Sequence, residues 1–211
     1  MMLELVLASQ SPRRRELLAQ AGFEFRISPV KVSEKIGENL NPEIVATQLA
    51  ADKVRACLDQ YKELKSRGFL ILGADTIVVV GDKILGKPET TTHAKQYLRL
   101  LSSKTHRVIT GLCLVEPGSP SGGLNEMKFW SGAEETHVTF RALTDREIDE
   151  YVSMGEPMDK AGAYAIQGEG GKFVSSFRGS WSNVVGLPLE RLEKTLKENE
   201  WDVRRRPLEK T

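Results

Sequence analysis

The sequence has no charge excess, little cysteine or histidine and no long apolar run, and each shortage closes off a class of function. Lys and Arg number 30 and Asp and Glu 29, for a net charge of +1. No global positive field is available to hold a nucleic acid, so a polyanion site must be a local cluster of basic groups. The two cysteines, Cys57 and Cys113, sit in apolar contexts and match neither a zinc nor a redox spacing. They are expected as buried thiols in a reducing, cytoplasmic compartment. His93, His106 and His137 are scattered and form no metal spacing. No stretch is long and apolar enough to span a bilayer. The first apolar run carries Glu4 and lacks a basic lead-in, so it does not read as a secretory signal. Internal repeats and heptads are absent too. What is present is a 211-residue chain that is 40% hydrophobic and 28% charged, which fits one soluble domain, with two lobes, around a real core.

The most informative stretch lies at the start. Leu3 to Ala8 reads as a short buried strand. The residues after it read as a helix, with Ser11 as N-cap, Pro12 in the first helical position and Gly22 at the far end. A strand, a tight turn and a helix opening in that order present free N–H groups to an anion. Arg13 and Arg14 add guanidinium forks suited to phosphate oxygens. Ser-Pro-Arg-Arg alone is equally compatible with a capped helix whose arginines are solvated.

Downstream, Phe23 to Ser28 alternates as a second strand, and 29–41 is a loop containing Glu34 and Glu38. Asn41-Pro42 opens a long helix with Ile44, Val45, Leu49, Val54, Leu58 and Tyr61 on its apolar face. Lys53 lies in that helix and reads by itself as a solvated lysine. Phe69 to Ala74 and Ile77 to Val80 are two buried runs separated by Asp75-Thr76. A carboxylate between such runs is costly unless paired, coordinated or hydrogen-bonded. Asp75 therefore either caps a turn at a strand end or faces a cleft at a strand's carboxyl end. Gly81-Asp82 marks a hairpin turn, and Lys87 stands between Gly86 and Pro88, which suggests a placed side chain. Thr90 to Thr92 cap a helix, 104–116 is a long strand, 134–143 another, and Thr144-x-x-Glu147 is a capping box. Residues 117–125 form a Gly/Ser/Pro-rich loop, to which no chemistry is assigned. Residues 155–168 hold two carboxylates, a lysine and several glycines. A last strand, 173–177, precedes a terminal helix with Leu189, Leu192 and Leu196 inward. Gly168-x-Gly170-Gly171-Lys172 lacks the context of a phosphate loop. Strands and helices mix throughout, so the fold class is α/β or α+β around one large sheet.

Four separated stretches, in order, resemble the Maf family of nucleotide pyrophosphatases. They are Ser9-x-Ser11-Pro12-Arg13-Arg14-x-Glu16-Leu17-Leu18, Gly73-Ala74-Asp75-Thr76, Leu85-Gly86-Lys87-Pro88, and Gly155 to Gly168 followed by Asn183-Val184-Val185-Gly186-Leu187-Pro188. The resemblance runs from about Leu5 to Leu196. It implies an α/β fold with an elongated mixed β-sheet flanked by helices, two lobes and a central cleft, similar to the inosine triphosphate pyrophosphatases. The family domain would occupy 1–199, leaving 200–211 as a polar, fraying tail.

The resemblance also implies hydrolysis of nucleoside triphosphates to the monophosphate and pyrophosphate with a divalent cation. Pro157-Met158-Asp159-Lys160-Ala161-Gly162-x-Tyr164-x-Ile166-Gln167 resembles the branch that acts on dTTP and UTP, in a protective role. Asp75 falls on the family's proton acceptor, and Glu34, with looser flanking residues, on its second acidic group. Oxygen donors of this kind call for a hard metal, Mg²⁺ or Mn²⁺. Lys87 joins them as a catalytic candidate. Ser9, Arg13, Arg14, Lys53, Thr76, Asp159, Lys160 and Gln167 are the implied substrate-binding residues, with Arg13, Thr76 and Gln167 selecting the base. A Gln amide offers a donor and an acceptor to a pyrimidine edge that carries an N–H between carbonyls. The expected partners are a nucleoside triphosphate and, by resemblance, a second copy in a homodimer, without membrane or nucleic acid. A nucleotide-binding regulator of cell division, acting without turnover, is the competing class.

Overall fold

The computed structural model describes residues 2–32, 40–118 and 127–206. β1 (Glu4–Leu7) is almost wholly buried and leads through Ser11 into α1 (Pro12–Gln20). The Ser11 side chain accepts from Arg14 N, Pro12 opens the helix, and Gly22 leaves it with a φ of 76°. β2 (Phe25–Ile27) follows, then α2 (Pro42–Gln60), whose first turn is capped by the Asn41 side chain. β3 (Phe69–Val80) turns at Gly81-Asp82 into β4 (Lys83–Leu85). Next come α3 (Thr91–Leu101), capped by Thr90, and β5 (Thr105–Glu116). β6 (Lys128–Phe140) and α4 (Asp145–Ser153) follow, the latter with both halves of the Thr144/Glu147 capping box in place. The chain ends in β7 (Val174–Arg178), α5 (Trp181–Val185) and α6 (Leu189–Glu198).

Among the described residues the strands form a seven-stranded sheet in the order β2-β1-β3-β5-β6-β7, with β4 on β3. β1 pairs in parallel with both β2 and β3, whereas β3/β4 and β6/β7 are antiparallel, so the sheet is mixed. The fold class is thus mixed α/β. The chain divides into two compact units: Met1–Asp75, Gly111–Ala133 and Gly186–Thr211 form the first, and Thr76–Thr110 and Glu134–Val185 the second.

In the first unit Val6, Ala8, Ile71, Cys113 and Val115 pack with Ala50, Val54 and Cys57 of α2. Two glycines let α2 lie close: a Cβ on Gly73 would stand 2.3 Å from Ala50 O, and one on Gly111 2.2 Å from Ala46 C and O. In the second unit an aromatic cluster of His106, Phe140, Tyr164, Phe173 and Tyr151 meets edge to face, beside Val78, Leu98 and Ile148.

Several boundaries differ from expectation. Asp75 neither caps a turn nor ends a strand, because β3 continues through it without a break. Its flanking apolar runs are one strand, made possible by the partner the carboxylate finds. β6 begins well before residue 134 and stops short of Leu143. Ile44 is exposed, because the inward face of α2 runs through Ala46, Ala50 and Lys53 instead. The described part of the C-terminal tail does not fray. Trp201 and Val203 are buried, Trp201 Nε1 donates to Glu116 (2.8 Å), and Val203 bridges Leu3 in parallel.

Candidate active site

Asp75 sits within β3, where both neighbouring runs are core. The residue is 6% exposed, and its carboxylate forms an ion pair with Lys53 Nζ. Lys53 is also buried, and its ammonium donates in addition to Ala74 O at 3.3 Å. An ion pair this far from solvent is held by geometry rather than by chance encounter, since each charge would be costly alone. α2 delivers Lys53 because its close approach at Gly73 and Gly111 brings the helix backbone against the sheet.

The opening of α1 is a second cluster in the same unit. Ser9 Oγ accepts from Ser11 N and from Arg14 Nη1, each at 3.2 Å. Arg14 Nε donates to Gly186 O at 2.8 Å. Arg14 is therefore turned inward, tying the strand-to-helix turn to Gly186. Arg13, on the next bearing of the helix, is partly exposed. An open pocket of about 260 Å³ lies here, lined by Ser9, Gln10, Ser11, Arg15, Ile27 and Pro29. Gln10 and Arg15 are not among the substrate-binding residues that the sequence implies. Their signal was proximity to Ser9 in the turn.

In the second unit Thr76 Oγ1 shares a hydrogen bond with Thr110 Oγ1 (2.9 Å), and Thr110 in turn donates to Asn183 O (3.0 Å). The Asn183 side chain donates to Val108 O and Thr136 Oγ1, both at 3.0 Å. Thr76 is thus held at the end of a buried polar chain, of which Asn183 heads a family-like stretch while Thr110 and Thr136 carry no signal in the sequence. Lys87 is exposed on a segment anchored by buried Pro88 and by the Gly86 carbonyl, which accepts from Gly162 N at 3.1 Å. Lys160 Nζ bonds Asp159 Oδ1 at 2.5 Å and Glu156 O at 2.8 Å. The Gln167 side chain is exposed.

The structure therefore joins Lys53 with Asp75, Ser9 with Arg14, and Asp159 with Lys160. Ser9, Arg13, Arg14, Lys53 and Asp75 belong to the first unit, and Thr76, Lys87, Asp159, Lys160 and Gln167 to the second. Glu34 lies outside the described residues. Among the described residues no three His, Cys, Asp or Glu side chains gather as a metal cluster, and no helix is long and apolar enough to cross a membrane. Cys57 and Cys113 are buried free thiols, and burial pushes them up to about 11 and about 12.

Comparison with known proteins identifies the family. The family described as "Maf-like protein" matches residues 4–199. A curated dTTP/UTP pyrophosphatase of Bdellovibrio bacteriovorus is 48% identical over 192 residues, covering 91% of this chain and 96% of the relative. Proteins of the same name from Bacillus thuringiensis and a Geobacillus species are 43% and 42% identical, covering 96% and 95% of this chain and 98% and 100% of theirs. Among solved structures, a HAM1 protein from Coxiella burnetii superposes with a TM-score of 0.50 at 16% identity, covering 93% of this chain and all of the other, which is a likeness of fold alone.

Proposed function

The chain belongs to the Maf family, and from that premise we propose that it is a nucleoside triphosphate pyrophosphatase acting on dTTP and UTP. The observation that carries the reading is the buried Lys53–Asp75 pair, which keeps a carboxylate fixed inside a strand beside a cation. In the reaction, water adds to the α-phosphorus, the bond from the α-phosphorus to the bridging oxygen breaks, and the electron pair leaves with pyrophosphate. Asp75 takes the proton of the attacking water. Lys53 holds Asp75 in place and contributes positive charge. Arg13 and Lys87 neutralise the triphosphate as charge shifts toward the leaving group. Arg14, tied to Ser9 and Gly186 O, fixes the turn that bears Arg13. Thr76 and Gln167 read the pyrimidine, with Asp159 and Lys160 beside them in sequence.

Asp75 offers hard oxygen donors, and Mg²⁺ commonly binds through one or two carboxylates together with substrate phosphates. The donor chemistry therefore fits Mg²⁺ or Mn²⁺, with Asp75 and Glu34 as the residues that would hold it. A bound cation would screen phosphate charge and lower the pKa of water. The same reading extends to a house-cleaning role in the cytoplasm and to a homodimer, checked by light scattering.

The test is a panel of triphosphates with and without Mg²⁺, Mn²⁺ or chelator, with product identification. dTTP and UTP should be turned over fastest, releasing pyrophosphate. Equal turnover of every nucleotide, release of orthophosphate, or tight UTP binding with no turnover would each overturn the proposal.

A further inference from the structure

The turn that presents Gln167 is braced by two side chains to which the reaction assigns no part. Tyr151, at the end of α4, accepts from Ala165 N on its hydroxyl oxygen (3.3 Å) and donates to Glu156 Oε1 (2.8 Å). The Glu156 carboxylate also accepts from Glu169 N (3.2 Å) and Gly170 N (3.3 Å). Ala165 on one side of Gln167 and Glu169-Gly170 on the other are thus anchored to one Tyr–Glu pair. The fit is close. A Cβ on Gly168 would fall 2.4 Å from Glu156 Oε2, and one on Gly170 2.7 Å from the Tyr151 hydroxyl. The main-chain carbonyl of Glu156 holds Lys160 Nζ as well. Burial and the neighbouring carboxylate push the Tyr151 hydroxyl well above its ordinary range.

We infer that Tyr151 and Glu156 are positioning residues that set nucleobase selectivity by fixing the turn on which Gln167 is carried. The inference rests on the proposed base-reading role of Gln167. A short amide side chain discriminates between bases only if its backbone is fixed to within a few tenths of an ångström, because a donor–acceptor pair offset by more loses its angle. Gln167 is exposed and sits on a short turn rich in glycine, so that fixity must come from its anchors. Thymine and uracil present an N–H between carbonyls, whereas cytosine presents an unprotonated ring nitrogen and an amino group. A loosened turn would lower the penalty against cytosine, and the phosphate chemistry elsewhere would be little affected.

The experiment compares Tyr151→Phe, Glu156→Gln and Gln167→Ala in the full chain, measuring kcat and KM for dTTP and dCTP. Amide hydrogen exchange is followed at Ala165 and Gly170. Tyr151→Phe should exchange faster at both amides and lower the dTTP-over-dCTP ratio of kcat/KM about tenfold, through KM, with kcat for dTTP changed less than about twofold. Glu156→Gln should act in the same direction, and Tyr151→Phe combined with Gln167→Ala should lower the ratio no further than Gln167→Ala alone. If Gln167→Ala lowers the ratio while Tyr151→Phe and Glu156→Gln leave it at the wild-type value, the brace has no such role. If Gln167→Ala itself leaves the ratio intact, base reading by Gln167 fails and the brace's role in selectivity falls with it.

Discussion

At the scale of single residues, the decisive feature is an ion pair where a strand should be apolar. Removing one partner of a buried pair costs about 3–5 kcal/mol because the other charge is left alone. Asn is nearly isosteric with Asp and can still accept from Lys53, so Asp75→Asn should fall at the low end of that range. Turnover should drop by about a thousandfold or more, since the proposed proton acceptor is gone. Circular dichroism should be unchanged, and Asp75→Asn/Lys53→Met should be more stable than Asp75→Asn alone while remaining inactive. Substantial turnover by Asp75→Asn would remove Asp75 from the mechanism. Lys53 shows where residue-level reading stops. Its sequence neighbours are those of a surface helix, and only the depth of α2 against the sheet reveals that its ammonium is buried.

His106 supplies a prediction of a different kind. It is 1% exposed, Nε2 meets the Tyr164 hydroxyl at 2.9 Å, and Nδ1 has no hydrogen-bond partner among the described residues. Desolvation lowers its pKa from 6.5 to about 4. Above pH 6.5 the ring is neutral in both folded and unfolded chains and adds no pH dependence. Between 6.5 and 4 the unfolded chain binds a proton that the folded chain does not, so stability falls as pH falls, and below 4 the loss levels off. The full loss is about 3 kcal/mol. His106→Gln should be less stable than wild type at pH 7, with the gap narrowing toward pH 4 in denaturant titrations. A gap of constant size across that window would contradict the buried neutral ring.

At the scale of elements, the packing of α2 decides whether the pair forms at all. Gly111 was unremarked in the sequence because a glycine in a strand has many explanations. Its structural reason is a helix backbone that leaves no room for a Cβ. Gly111→Ala should push α2 outward and cost about 1–3 kcal/mol. Because α2 carries Lys53, it should also lower turnover more than a stability loss explains, measured on the fully folded protein at low temperature. A cost below about 0.5 kcal/mol would mean that the helix yields freely. Elements with local signals were legible: the capped helices α1, α3 and α4, and the β3/β4 hairpin with its Gly81-Asp82 turn. β3 as one strand was not, since composition treats Asp75 as a break, and only a residue 22 positions away in sequence pairs its charge. The N-terminal half of β6, with Lys128, Phe129, Ser131 and Gly132 partly or fully exposed, lacks the apolar density that identifies a strand.

At the scale of the whole chain, family motifs made the fold class and the order of the site residues readable, because short ordered motifs are read directly from residues and packing is not. They said nothing of what joins the ends. The segment after α6 looks polar, with Arg204, Arg205 and Arg206 in a row, yet it returns to the first strand. Leu3 N donates to Asp202 O at 2.7 Å, Arg204 N donates to Leu3 O at 3.3 Å, and the Arg205 guanidinium lies 3.5 Å from the centre of the Phe23 ring. Trp201, buried and bonded to Glu116, is the main apolar anchor. Losing a buried Trp costs about 3–5 kcal/mol. For a chain of this size that amounts to roughly 10 °C in Tm. A chain ending at Asn199 should melt lower by about that much. It retains every proposed catalytic and substrate-binding residue, so kcat measured well below its Tm should stay within about twofold of the full-length value. Trp201→Ala in the full chain should reproduce most of the Tm loss. An unchanged Tm on truncation would show that the returning segment adds no stability, and a kcat collapse at unchanged Tm would place part of the reaction at the C-terminal end.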